Sequence, residues 1–173
     1  MDRLLDERYM QMALGEAEAA FDNGEVPIGC VIVRDGKIIA RGSNQMETLQ
    51  DPTAHAEILA IGAASAKGEG NWRLDDTTLY VTLEPCPMCA GAILNSRLSR
   101  VVFGAPDKRL GACGSTMDIL KNNPIHREIE VLGGVLADQC LGIIQQFFQV
   151  LRARKKEEKS QVQSIPLKGV SLI

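Results

Sequence analysis

Two short stretches of the chain bring together residue types that bind metal ions and move protons. One is Pro52-Thr53-Ala54-His55-Ala56-Glu57; the other is Pro85-Cys86-Pro87-Met88-Cys89. A Cys-x-x-Cys pair alone fits a redox couple or half of a structural zinc site. The chain offers no second such pair, and a closed structural site needs four protein ligands. Cys86 and Cys89 find one obvious nitrogen partner, His55. Three ligands leave one coordination position for water, which is the catalytic arrangement. Zinc lowers the pKa of such a water to about 7. Glu57, two residues from His55, supplies a carboxylate that can take a proton and hand it on, help worth on the order of 10²–10⁴ in rate.

These groups need elements that aim them at one point. Each stretch falls where a helix is expected to begin, and a helix N-terminus lowers a nearby thiol pKa towards the thiolate that binds metal. A spacing of three brings the sulfurs of Cys86 and Cys89 to one side of a helix. The first helix is expected over about residues 6–23, from the spacing of Met10, Leu14, Ala17 and Phe21, with Gly24 as a stop. Asp35-Gly36 between two β-rich runs predicts a hairpin. A second helix is expected to open near Asp51-Pro52-Thr53 and run towards Lys67. Leu79–Leu83 and Arg100–Gly104 predict two more strands, Glu128–Leu132 a weaker fifth, and Met88–Leu94 a short helix. A further helix between the last two strands is allowed for. The apolar stripe of Leu136, Cys140, Ile143, Ile144, Phe147 and Leu151 predicts a final helix to about Arg154.

The alternation of later strands with helices makes strands three to five parallel with right-handed crossovers, and the hairpin adds an antiparallel pair. The expected fold is therefore α/β: a mixed five-stranded sheet with helices on both faces. One domain over residues 1–156 is expected, followed by a flexible tail over 157–173.

Composition narrows the class. With 173 residues, 45% of them hydrophobic and 24% charged, the chain has the make-up of one ordinary globular domain. A formal net charge of −3 argues mildly against a nonspecific nucleic-acid binder. Positive charge is local: Arg152, Arg154, Lys155 and Lys156 near the end of the last helix, and Lys108-Arg109 after the fourth strand. Five cysteines and a charged N-terminus do not look like a disulfide framework behind a signal peptide. No apolar run approaches the ~20 residues that cross a bilayer. A reducing cytosol is the expected compartment, without membrane attachment.

His-x-Glu followed by Pro-Cys-x-x-Cys is the signature of the zinc-dependent cytidine/adenosine deaminase superfamily. The longer stretches Asp51–Ile58, Thr82–Ala92 and Ser96–Ala105, with Gly111–Ser115, His126-Arg127 and Phe147-Phe148, closely resemble the bacterial tRNA-specific adenosine deaminases. The likeness spans roughly residues 8–155. It implies a three-layer α/β/α cytidine deaminase-like fold and hydrolysis of adenosine to inosine at the wobble position of an anticodon. It also implies a homodimer with one Zn²⁺ per subunit. His55, Cys86 and Cys89 would hold the zinc and Glu57 would shuttle protons while activated water attacks C6 of adenine. Asn44 would hydrogen-bond the target base, Asp107 would lie beside its sugar, and Phe148 would contact neighbouring anticodon-loop bases.

Plainer roles compete for several of these residues. Asn44 also suits a turn after a strand. Glu84 is accounted for by helix-terminus electrostatics. Cys30, Cys113 and Cys140 are expected as buried small hydrophobes, Trp72 as packing, and Arg73, Arg97 and Arg100 as solvated charge. Of Phe147 and Phe148, one is expected in the core and the other exposed. His126 suits a surface loop as well as an RNA contact. The rival functions are deamination of a free base or nucleoside, such as guanine or cytosine, and a catalytically dead zinc-stabilised RNA-binding module.

Overall fold

The structure, a computed structural model, describes residues 3–68, 71–121, 123, 125 and 128–163. The element order is α1 (Arg3–Asp22), β1 (Gly29–Arg34), β2 (Lys37–Ser43), α2 (Met46–Leu49), α3 (Ala56–Ala66), β3 (Thr77–Leu83), α4 (Pro87–Ser96), β4 (Arg100–Ala105), β5 (Glu130–Gly133) and α5 (Ala137–Gln163). The five strands form one mixed sheet in the order β2-β1-β3-β4-β5. β1 pairs antiparallel with β2 and β3, while β3, β4 and β5 run parallel. The parallel strands three to five and the antiparallel hairpin are as expected; the order across the sheet and the β1–β3 pairing come from the structure. β1, β3 and β4 are central and covered on both faces, so they read as nearly unbroken apolar runs.

Helices cover each face. Ala56, Ala60 and Ala64 of α3 and Ala90, Ile93 and Leu94 of α4 pack on Cys30, Ile32, Leu79, Val81 and Val101. On the other face, Tyr9, Met10, Ala13 and Leu14 of α1 and Cys140 of α5 pack on Val31, Val33, Tyr80 and Val102. Small residues let the layers approach closely. A Cβ on Gly42 of β2 would collide with the backbone of α3 at Ala56 and Ala60, so α3 sits directly on the strand. The β1–β2 hairpin turns at Asp35 (φ 49°) and Gly36 (φ 72°). Two successive positive φ values are what a two-residue hairpin turn requires.

Several local expectations are corrected. α3 begins at Ala56, not near Asp51. The Asp51 carboxylate instead accepts hydrogen bonds from Thr53 N (2.8 Å) and Thr53 Oγ1 (2.7 Å), closing a turn. α2 was not foreseen. Among the described residues no helix links β4 to β5; the connection is built of turns and one isolated bridge, Cys113 to Asp118. α5 continues to Gln163, nine residues past the expected end at Arg154, because Lys and Glu after the apolar stripe are good helix formers. His126 and residues 164–173 lie outside the described residues. Trp72 is exposed, with the guanidinium groups of Arg73 and Arg97 5.8 and 6.0 Å from its ring centroid. Arg100 is not solvated but buried, paired with Asp6 at 2.7 Å and Glu130 at 2.7 Å. Cys30, Cys113 and Cys140 are buried as expected. Among the described residues no helix is long and apolar enough to cross a membrane.

Candidate functional site

The parallel strands deliver their chain ends to one edge of the sheet, and the two motifs meet there. α4 follows β3 directly, with Cys86 at its N-cap in extended conformation (φ −75°, ψ 172°). His55 holds the same place on α3 (φ −73°, ψ 153°). Neither side chain caps its own helix. Both are therefore free to turn outward, while their carbonyls accept the first helical N–H bonds, from Leu59 (3.1 Å) and Ala90 (2.8 Å). Cys89 lies in the first turn of α4. His55 Nδ1 stands 3.7 Å from Cys86 Sγ and 3.5 Å from Cys89 Sγ. The three ligand atoms lie within 4.8 Å of one another, close enough to hold a metal ion.

The electrostatics favour a bound cation. A hydrogen bond from the Cys89 thiol, reinforced by His55 against the opposing effect of burial, brings the Cys86 thiol down to about 4. Cys86 is thus a thiolate, the form that coordinates metal. The same shared hydrogen bond, with burial and the charge of Glu57, pushes Cys89 up. His55 is raised by its bond to Cys86 and by Glu57, against partial burial. The Glu57 carboxyl is buried in the first turn of α3, where its charge acts on His55, Cys86 and Cys89. Burial raises its pKa, so it holds a proton more readily than an exposed carboxylate.

Asn44 comes to the same edge. Its neighbour Gln45 donates to Ala54 O at 3.0 Å, which joins the end of β2 to the residue before His55. Asn44 is buried, and its Nδ2 donates to Glu25 Oε2 at 3.2 Å. Glu25 Oε2 also accepts from Glu47 N (3.2 Å), and Glu25 Oε1 from Thr48 N (2.7 Å), so one buried carboxylate secures both Asn44 and the start of α2. Asp107 is half-buried in the loop after β4, where its backbone N–H donates to Glu84 Oε2 at 3.0 Å. Phe148 is not part of this cluster. It is exposed on α5 beside Phe147, its ring 5.5 Å away, and Phe147 is buried against Phe21 in the last turn of α1 at 5.6 Å. The division between the two phenylalanines is the one expected.

Glu25 escaped the sequence analysis and Glu84 was given a lesser role. The available signal was a carboxylate set against apolar strand residues, Glu25 before Val26-Pro27-Ile28 and Glu84 after Leu79–Leu83. Such a charge is exceptional inside a fold unless it has partners.

Residues 5–152 match the family model of the MafB19-like deaminases. A tRNA-specific adenosine deaminase of Bacillus subtilis is 49% identical over 157 residues, covering 91% of this chain and 97% of the relative. One from Streptococcus pyogenes serotype M18 is 48% identical, covering 86% of this chain and 92% of the relative. A solved structure from a study of A-to-I editing by tRNA:A34 deaminases at the wobble position superimposes with a TM-score of 0.74 at 42% identity. It covers 79% of this chain and 98% of its own. With a His/Cys/Cys cluster at paired helix starts and nearly half its residues shared with these relatives, the chain belongs to the MafB19-like deaminases and, among them, to the family of tRNA-specific adenosine deaminases.

Proposed function

We propose that this protein hydrolyses adenosine to inosine at the wobble position of a tRNA anticodon, with His55, Cys86 and Cys89 as ligands of one Zn²⁺ and Glu57 as the proton carrier. The observation that carries the assignment is the convergence of two sulfurs and an imidazole within 4.8 Å, with the buried carboxyl of Glu57 two residues from His55 on the same helix start. Two cysteine sulfurs and an imidazole nitrogen are a donor set suited to zinc, and the lowered pKa of Cys86 favours the thiolate that would bind it. Bound there, zinc supplies the Lewis acidity that makes water a nucleophile near neutral pH.

The chain's own residues do the rest. Glu57 takes a proton from the attacking water and delivers it to a ring nitrogen of the adenine. It then transfers a second proton to the 6-amino group, which departs as ammonia. Asn44 hydrogen-bonds the base, its amide oriented by Glu25. Asp107 lies beside the ribose, and Phe148 meets the flanking loop bases. A base in an anticodon loop can be splayed out at low cost, whereas one in a duplex cannot reach such a pocket. The exposed Arg152, Arg154, Lys155 and Lys156 of α5 supply cations for phosphates that the net charge does not. We further propose that the protein acts as a homodimer in the cytosol, where its five unpaired cysteines stay reduced.

The test is to incubate the protein with unmodified tRNA and sequence the product. The wobble adenosine should read as G. No change, together with rapid ammonia release from free guanine or cytidine, would transfer the enzyme to the rival substrate class. Glu57→Gln should keep its metal and fold while losing about 10²–10⁴ in rate; undiminished activity in that variant removes Glu57 from the mechanism.

A further inference from the structure

We propose that Glu84 is a positioning residue for the deamination site, its carboxylate setting the conformation of residues 107–115 and through them the placement of Asp107. The role of Asp107 rests on the function proposed above; the control of the loop by Glu84 stands on geometry alone.

Glu84 follows β3 and lies two residues before Cys86. It is buried, at 2% exposure, and no cation pairs with it among the described residues. Three backbone amides of one loop surround it instead. Glu84 Oε2 accepts from Asp107 N (3.0 Å), and Glu84 Oε1 accepts from Cys113 N (3.0 Å) and Ser115 N (3.0 Å). The loop has no helix, and its own bonds are local turns, such as Gly111 N to Asp107 O at 2.9 Å, and the Cys113–Asp118 bridge; Glu84 joins those turns to the end of β3. A further tie to this strand end is Ala112 N to Pro85 O at 2.9 Å, on the residue next to Glu84.

A second observation is independent of those bonds. A Cβ built on Gly111 would strike the Glu84 carboxylate and the carbonyl oxygen of Asp107 at once. The loop backbone therefore lies directly on the carboxylate, with no room for a side chain between them. A residue whose only role was helix-terminus electrostatics would not need this wrapping. One side chain thus fixes two walls of the site together, because it is bonded by covalent chain to the Cys86 turn and by hydrogen bonds to Asp107.

Gln in place of Glu84 makes a selective cut. An amide can keep its oxygen on the Cys113 and Ser115 N–H groups only by turning its NH₂ towards the Asp107 N–H, so two donors face each other there. The experiment measures tRNA deamination by the zinc-loaded wild type, Glu84→Gln, Asp107→Ala and the double variant. Zinc stoichiometry, thermal midpoint and amide hydrogen exchange are recorded for each. In Glu84→Gln, KM should rise by about tenfold, the cost of one unsatisfied buried donor. Its kcat should stay within about threefold, with zinc retained and exchange at Asp107 N–H accelerated more than at Cys113 or Ser115. In the Asp107→Ala background the same substitution should change KM by less than about twofold, since coupled residues are not additive.

An equal KM penalty in both backgrounds, or a loss confined to kcat and zinc content, overturns the proposal and leaves Glu84 a structural residue. If Glu84→Gln does not fold, Gly111→Ala replaces it. That variant keeps the carboxyl group but forces it and the Asp107 carbonyl away from the loop backbone, and the same KM increase is expected; an unchanged KM there also overturns the proposal. A wild type inactive on tRNA ends the functional assignment separately. Exchange at Asp107 N–H then still decides whether Glu84 sets the loop, and unchanged exchange refutes it.

Discussion

At the amino end of β4, Arg100 is buried with Asp6 of α1, and Tyr80 Oη donates to the same carboxylate at 2.8 Å. At the carboxyl ends of β3 and β4 the buried carboxylates Glu25 and Glu84 have backbone amides as their main donors. The same cost of taking a charge out of water is thus met in two ways. The first closes on itself: two opposite charges and a phenol satisfy one another and hold α1 to the sheet. The second leaves the negative charge uncancelled and uses it to shape loops and orient an amide. Side-chain pairs lock elements together, whereas carboxylates bonded to backbone fix where a short helix starts and how a loop of turns runs. The first arrangement joins a helix to the sheet; the second shapes the edge where His55, Cys86 and Cys89 meet.

Four experiments sharpen the contrast. The largest effect belongs to the functional edge: Cys86→Ala should lose bound metal and drop deamination to background. Full metal stoichiometry in that variant would contradict the ligand set. Next is Asp6→Ala, which strands the Arg100 charge and should cost about 3–5 kcal/mol of unfolding free energy. The rate per folded molecule should be unaffected. A loss below about 1 kcal/mol in denaturant titration would show that Glu130 alone suffices for Arg100.

A smaller effect is expected from Glu25→Gln, which weakens the seat of Asn44 and the start of α2. Its KM for tRNA should rise several-fold, with a stability loss of about 1–3 kcal/mol. Equal KM would detach Glu25 from the base pocket. The smallest is a pH effect. Burial pushes Asp6 up, but hydrogen bonds from Arg100 and Tyr80 and the Arg100 charge outweigh it, holding its carboxyl below the ordinary value of 3.8. Its stabilisation is then complete above that value and lost as pH falls through the lower folded one. The stability gap between wild type and Asp6→Ala should be constant near neutrality and narrow in acid below about pH 4. A gap that widens in acid would reverse the sign.

What the sequence made legible divides along similar lines. The succession of elements along the chain, the hairpin and the His55/Cys86/Cys89 grouping follow from local patterns, because periodicity, an Asp-Gly turn and a three-residue spacing are written in adjacent residues. What escaped depends on partners far along the chain. Arg100 was expected in solvent because its partner Asp6 lies 94 residues away. α2 has no apolar period of its own, and the carboxylate of Glu25, some twenty residues earlier, receives its first amides. Trp72 was expected as a packing residue, yet its ring is exposed and flanked by two arginines. The length of α5 was missed for another reason: an apolar stripe marks only the part of a helix that packs, and the remainder is carried by intrinsic propensity.

His55 and Cys86 each occupy the residue at which a helix begins, so ligand position and helix phase are a single variable. One residue added between Cys86 and Cys89 would swing the second sulfur about 100° around the axis of α4. No adjustment of rotamers would restore its direction. The connection from α3 to β3, at the far edge of the sheet, can lengthen for little more than loop-closure entropy. Insertions, tags and grafted segments therefore belong at that far edge, and chain length between β3 and α4 is fixed to the residue.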